Sequence, residues 1–195
     1  DSKDALEHPG TVGSAIDGVT IKIFGEQGEE LPPGEIGRVF ARCEWYPDFT
    51  YQNDDAKRRS IEEKGLWTGG DVGYMNEAGY LFLCDRANDM VISGGVNIYP
   101  AEIEATLIKL PGVHDCAVFG IPDDEFGEVL AAVIEREQGS ELTAEEVAAY
   151  LREHLAGFKI PRVIEFRKDL PREDSGKLFK RKLREPYWEK AGRKI

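Results

Sequence analysis

Cysteine and histidine are scarce, with three of each in 195 residues. Cys43, Cys84 and Cys116 are odd in number and far apart, which excludes a disulfide framework and suits a reducing, cytoplasmic setting. His8, His114 and His154 share no metal-ligand spacing with them or with one another, so no zinc or other metal site is expected. Long apolar runs are also missing. None approaches the ~20 residues of a membrane-crossing helix, and the start, DSKDALEHPG, has no basic stretch leading into an apolar one. Basic residues are outnumbered, 25 Lys+Arg against 37 Asp+Glu, for a net charge of −12. Such a field disfavours nucleic acid and anionic membranes as partners. What remains is an ordinary globular balance, 41% hydrophobic and 32% charged, enough for one large domain or two small ones.

Two patterns divide the chain. Residues 1–87 are β-rich. Val19, Ile21 and Ile23 alternate, Gly25 to Gly28 and Leu31-Pro32-Pro33-Gly34 break the chain, and Ile36 to Arg42 reads as the next strand. Asn76-Glu77-Ala78-Gly79 predicts a hairpin turn between Val72–Met75 and Tyr80–Cys84. Short strands with frequent turns fit either a small barrel or a distorted antiparallel sheet. Residues 53–64 are polar and predict a short exposed helix.

Residues 88–195 alternate strands with helices. Met90 to Ser93 is a short apolar run. Pro100 opens a helix with Ile103 and Leu107 on one face, and Pro111-Gly112 ends it. Cys116–Gly120, Val129–Glu135 and Val163–Phe166 read as strands, and Leu178–Glu189 as a last helix. Thr143-Ala144-Glu145-Glu146 is a capping box ahead of Val147, Leu151 and Leu155 at helical spacing. The fold class is therefore α+β: a small β-rich, barrel-like subdomain, then an α+β domain, with Asp85–Asp89 as the boundary.

Several segments have two readings. Gly94-Gly95, between a strand and a helix, is a tight turn or a place where a ligand meets bare backbone. Asp71, after Gly69-Gly70, is a turn carboxylate or an acceptor for sugar hydroxyls. Asp85-Arg86 is a surface ion pair unless its context says otherwise. Ser175-Gly176-Lys177 fails the Walker pattern, with Pro171 and Leu178 where a glycine and a hydroxyl belong. Asp123-Asp124 reads as a solvated loop. Residues 177–195 carry eight Lys/Arg and two Glu, a local +6 that leaves −18 on the rest. This tail is a solvated helix face or a patch that meets phosphates.

Order and spacing add what the pieces lack. Thr68-Gly69-Gly70-Asp71-Val72-Gly73, the run from Asp85-Arg86 through Ser93-Gly94-Gly95-Val96-Asn97-Ile98-Tyr99-Pro100 to Glu104, Phe158-Lys159-Ile160-Pro161 and Pro171 to Lys177 together resemble the C-terminal part of AMP-forming acyl-CoA synthetases. These belong to the adenylate-forming superfamily. The likeness spans essentially the whole chain, and the 93–100 stretch resembles fatty- and aryl-acid CoA ligases.

The resemblance implies a two-step reaction. A carboxylic acid attacks the α-phosphate of ATP with Mg2+, giving acyl-AMP and pyrophosphate, and the thiol of coenzyme A then displaces AMP. By the same resemblance, Asp71 holds the ribose hydroxyls and Arg86 the ribose and phosphate side. Lys177 bridges carboxylate and α-phosphate, where a preorganised ammonium counters gathering negative charge. Asn88 is the hinge, and Gly94 and Gly95 line the pantetheine channel once the small domain has turned. Two positions depart from the family pattern. Asn88 stands where Asp or Lys is usual, and Gly69 where Thr is usual. The family's phosphate loop, adenine-contacting segment and acyl pocket have no counterpart in residues 1–195. The expected partner is thus the missing N-terminal domain, which binds most of the ATP, Mg2+, CoA and acid, and the chain alone is expected to be inactive. A binding module that kept only the fold, a carrier-protein adenylation domain and a luciferase-like oxygenase are the competing readings. Retention of Asp71, Arg86 and Lys177 together favours the ligase.

Overall fold

Two sheets organise the computed structural model, which describes residues 2–192. Contacts divide the chain into two units, Asp1–Asn88 and Asp89–Ile195, each built on one sheet. The class is α+β.

The first unit opens with helix α1 (Ser2–Glu7), which no sequence pattern announced. Then come β1 (Gly13–Ser14), β2 (Val19–Phe24), β3 (Gly37–Cys43), helix α2 (Asp55–Ser60), β4 (Glu62–Glu63), β5 (Leu66–Trp67), β6 (Asp71–Met75) and β7 (Tyr80–Arg86). They form an antiparallel sheet in the order β1-β7-β6-β3-β5-β4, with β2 on β3. Among the described residues no pair joins β1 to β4, so the sheet is open rather than closed into a barrel. The alternation predicted over Val19, Ile21 and Ile23 holds only at the start of β2, with Thr20 exposed between two half-buried residues, and is lost at its end, where Ile23 and Phe24 are both buried. Ile23, Phe24, Phe40, Val72 and Leu81 are the sheet's buried apolar residues, and Phe24 meets Phe40 edge-on at 5.2 Å.

The polar segment 53–64 differs from its expectation. Only Asp55–Ser60 is helical, Glu62–Glu63 joins the sheet, and Arg58 is buried. Its guanidinium lies 4.8 Å from the Phe49 ring centre and 5.0 Å from that of Trp67. It also binds Asp48 at 2.9 Å and Glu62 at 2.6 Å. A charged side chain can be covered in this way because aromatic faces and two carboxylates replace its water. The Arg58 hydrogen bond holds the Asp48 carboxyl below its usual range.

The second unit contains β8 (Val91–Ser93), β9 (Val96–Ile98), α3 (Pro100–Leu107), β10 (Val113–Asp123), β11 (Gly127–Arg136), α4 (Ala144–His154), a 3-10 turn at Gly157–Lys159, β12 (Val163–Arg167) and α5 (Lys180–Lys190). The sheet order is β10-β11-β8-β9, with β12 on β11. All pairs are antiparallel except β11 with β12, which α4 connects as a crossover.

β10 and β11 are buried on both faces, and their alternation sorts residues between two cores. Cys116, Val118, Leu130, Ala132 and Ile134 meet α3 and α4 through Ile103, Leu107, Val147 and Leu151. Ala117, Phe119, Ile121, Ala131 and Val133 meet Leu170 and Leu183 on the other side. Period-two alternation thus appears as a continuous apolar run, because neither face is wet. The α4 capping box is complete: Glu146 N–H donates to Thr143 Oγ1 at 3.3 Å, and Thr143 N–H to Glu146 at 2.9 Å. The last helix starts two residues later than expected. Leu178 pairs with Arg172, and Phe179 N–H donates to Pro171 at 2.7 Å, so their backbones are already committed to a hairpin.

Candidate functional site

Asp71 and Arg86 are brought together by the β6–β7 hairpin. The four-residue loop 76–79 sets its register, closed by Asn76 N–H to Tyr80 O at 3.0 Å and Tyr80 N–H to Asn76 Oδ1 at 2.9 Å. A bulge then shifts the pairing between Val72 and Gly73. At Gly73 a Cβ would lie 2.2 Å from the Phe82 carbonyl oxygen, so only glycine allows this approach. Beyond the bulge Asp71 pairs with Arg86, and Arg86 Nε lies 3.5 Å from Asp71 Oδ1. Both side chains remain open to solvent, Arg86 at 60% and Asp71 at 37%.

The preceding loop is built from small residues. Thr68 is buried, and its hydroxyl accepts the Gly70 N–H at 3.0 Å, while Gly70 (φ +89°) turns the chain into β6. The Thr68 hydroxyl, one position from where the family pattern has it, is thus engaged within its own loop. A carboxylate with two acceptor oxygens beside a guanidinium is a donor–acceptor set that fits a sugar diol next to a phosphate.

Asn88 lies exposed in the turn 87–89 that follows β7, at the end of the first unit. Its φ is not positive; among non-glycine residues described, only Asn53 and Lys64 have positive φ. The tolerance of asparagine for left-handed backbone is therefore not used here.

In the second unit, Gly94-Gly95 differs from its expected setting. It connects two strands, not a strand and a helix, with Ser93 opposite Val96. Both glycines have positive φ, +57° and +82°, as a two-residue hairpin turn with the twist of its strands requires. Around Gly95 a Cβ would find open space, whereas at Gly94 it would sit 3.1 Å from Phe126. Gly94 N–H donates to the Phe126 carbonyl at 2.9 Å.

Asp123 orders that neighbourhood, and so is not the solvated loop residue expected. Its Oδ1 accepts the N–H groups of Glu125 and Phe126 at 3.0 and 2.9 Å, and Arg162 reaches its Oδ2 at 3.3 Å. The Phe126 bond is the main reason its carboxyl is held below the usual range. Arg162 also covers the Phe126 ring at 4.5 Å. Beside this turn runs an open groove of about 960 Å³, lined by Gly94, Phe126, Ala148, Arg152, Phe158 and Arg162 among others. Lys159, in the 3-10 turn at its rim, pairs with Glu102 of α3 at 2.6 Å.

Lys177 is exposed on the Arg172–Leu178 hairpin that precedes α5. Its carbonyl accepts the Glu173 N–H at 2.8 Å, Gly176 N–H donates to Glu173 O at 2.8 Å, and Gly176 turns the chain at φ +83°. Three residues on, Lys180 binds the Glu104 carboxylate at 2.8 Å, and Glu104 accepts the Val118 N–H at 2.6 Å. Burial, aided by Glu104, pushes the adjoining Cys116 thiol up to about 12. Burial likewise raises the Tyr187 phenol to about 12, with the Glu165 bond adding to it. Neither group is a nucleophile or proton carrier at neutral pH.

Sequence inspection missed the roles of Glu104, Asp123 and Arg172. Each is an acidic or basic residue next to a segment singled out for other reasons, and nothing local marks its partner. Among the described residues no group of three His, Cys, Asp or Glu could hold a metal ion. No helix there is long and apolar enough to cross a membrane.

A family profile described as the AMP-binding enzyme C-terminal domain matches residues 102–177, from within α3 to the exposed lysine. Residues 102–177 thus carry a domain of this family. Curated relatives of the chain include CoA ligases and a fatty acid–[acyl-carrier-protein] ligase. The chain is 36% identical over 186 residues to the long-chain-fatty-acid–CoA ligase FadD13 of Mycobacterium tuberculosis, covering 95% of this chain and 36% of that protein. Solved structures agree. ATP-bound MatB of Rhodopseudomonas palustris superposes with a TM-score of 0.85 at 37% identity, over 92% of this chain and 36% of that one. The o-succinylbenzoate CoA synthetase MenE of Bacillus subtilis, in complex with its acyl-adenylate, gives 0.85 at 32% identity, over 93% and 37%. The chain therefore spans well under half the length of these proteins.

Proposed function

We propose that the chain is the C-terminal part of an AMP-forming acid–CoA ligase, and that Lys177 is its adenylation lysine. In this reading Asp71 receives the ribose hydroxyls of ATP and Arg86 its phosphate side. Lys177 brings an ammonium to the α-phosphate as the carboxylate attacks. Two anions must meet there, so a placed cation lowers the barrier, and its loss costs about 10²–10³-fold in rate. Asn88 serves as the hinge, and Gly94 and Gly95, lacking side chains, admit the thiol arm of CoA in the second step. Mg2+, the adenine ring and the acid are bound by segments outside residues 1–195. The three dispersed cysteines, none in a disulfide, suit a reducing cytoplasmic setting.

The observation that carries this reading is the exposed Lys177 on an ordered hairpin, at the end of the matched family segment. The test is Lys177→Ala in the whole enzyme, with the two half-reactions measured separately. Adenylation, followed by pyrophosphate release, is expected to fall about 10²–10³-fold, while thioester formation from supplied acyl-adenylate is largely kept. Equal loss in both steps overturns the assignment. The 195-residue chain alone is expected to make no thioester from ATP, acid and CoA, and detectable product would contradict that.

A further inference from the structure

The segment carrying Lys177 leaves and re-enters the fold through two buried leucines, Leu170 before it and Leu183 after it. Between them the chain runs over the surface, where a loop tipped with Glu173, Asp174, Ser175 and Gly176 would ordinarily be loose. Here it is gripped from the side. The Arg172 guanidinium donates through Nη1 to the Gly176 carbonyl at 2.9 Å and through Nη2 to Asp115 Oδ2. Asp115 sits on β10 and is itself fixed, its Oδ1 accepting the Cys116 N–H at 2.8 Å. The Lys180–Glu104 pair ties the far leg of the hairpin to α3.

We propose that Arg172 is a positioning residue for Lys177: anchored by Asp115, it clamps the carbonyl of the residue before the lysine and so fixes where the ammonium can reach. The argument rests on the adenylation role of Lys177 given above. The planar guanidinium suits the task because its donors lie at fixed angles, one for the carboxylate and one for the carbonyl. A lysine at 172 has a single ammonium on a flexible stem and lacks that geometry. A catalytic cation displaced by about an ångström loses much of its effect, so a loosened hairpin slows the step that uses Lys177 and leaves the other step alone.

Two measurements test this. In the whole enzyme, Arg172→Gln and Asp115→Asn are each expected to slow adenylation about 10-fold and to leave thioester formation from supplied acyl-adenylate within about twofold. Arg172→Lys is not expected to restore the rate. Combined with Lys177→Ala, Arg172→Gln is expected to add nothing, because the group it positions is gone. Unchanged adenylation, equal loss in both half-reactions, or a multiplied defect in the double variant each overturn the proposal. In the 195-residue chain, hydrogen exchange of the Glu173 and Gly176 amides is expected to quicken in Arg172→Gln while the β10–β11 ladder stays protected. Unchanged exchange overturns the clamp. Quickened exchange beside a silent Lys177→Ala keeps the clamp and overturns the role given to Lys177.

Discussion

Asp71 and Arg86 stand opposite each other across β6 and β7, with Arg86 Nε 3.5 Å from Asp71 Oδ1. They are neighbours only because the bulge between Val72 and Gly73 shifts the pairing by one residue, so that Asp71 faces Arg86 rather than Asp85. The pair is half open to water, so its ion pair adds little to stability, well under about 1 kcal/mol. In the proposed reading its value lies in ligand binding. Asp71→Asn and Arg86→Ala in the whole enzyme are each expected to weaken AMP binding about 10-fold by titration calorimetry, a typical cost for losing a charge-assisted hydrogen bond. The thermal midpoint should hardly move.

Arg58 makes the opposite case. It is covered by Phe49 and Trp67 and bound to Asp48 and Glu62, and no ligand role is proposed for it. Arg58→Ala is expected to lower the melting temperature of the first unit by about 5–10 °C, read from Trp67 fluorescence. Arg58→Lys should recover little, since one ammonium cannot serve both carboxylates and lie flat between two rings.

At the α4 start, Thr143→Ala is expected to cost about 1 kcal/mol of second-unit stability. Glu146 supplies a pH signature. Its hydrogen bonds with the Thr143 N–H and hydroxyl hold its carboxyl below the usual 4.5. A depressed carboxyl binds fewer protons when folded. Its contribution is therefore complete above the unfolded value and is lost as pH falls through the folded one. Urea titrations of the wild type and Glu146→Gln should differ at pH 7 and converge on acidification as the folded carboxylate takes up its proton.

Cys116 is buried, with its thiol raised to about 12. A buried, protonated thiol is a poor nucleophile and is screened from reagent. Iodoacetamide with the native chain is expected to label the partly exposed Cys43 and Cys84, and Cys116 only in denaturant, as read by peptide mass spectrometry.

The sequence disclosed features that close within a few residues. Thr143 to Glu146 is legible because a capping box needs only a hydroxyl, a carboxylate and their spacing. The turn at 76–79 and the helix at Pro100 are legible for the same local reason. The Gly94-Gly95 hairpin was not, because Val96–Ile98 is three residues long and merges with the approach to α3. Arg58 was hidden because its segment is polar throughout and its partners Phe49 and Trp67 lie nine residues to either side. The site shows the same division. Asp71, Arg86 and Lys177 stand in recognisable runs, whereas the Asp115–Arg172 clamp joins residues 57 apart and only folding pairs them.

The second core, in which Leu170 and Leu183 cover Ala117, Phe119 and Ile121, bears on biosynthesis. The sheet face is translated dozens of residues before the helix that shields it. While the ribosome still holds α5, that face of β10 and β11 is sticky and bare. A nascent chain stalled between residues 136 and 180 should therefore recruit a chaperone that one released past Leu183 no longer needs.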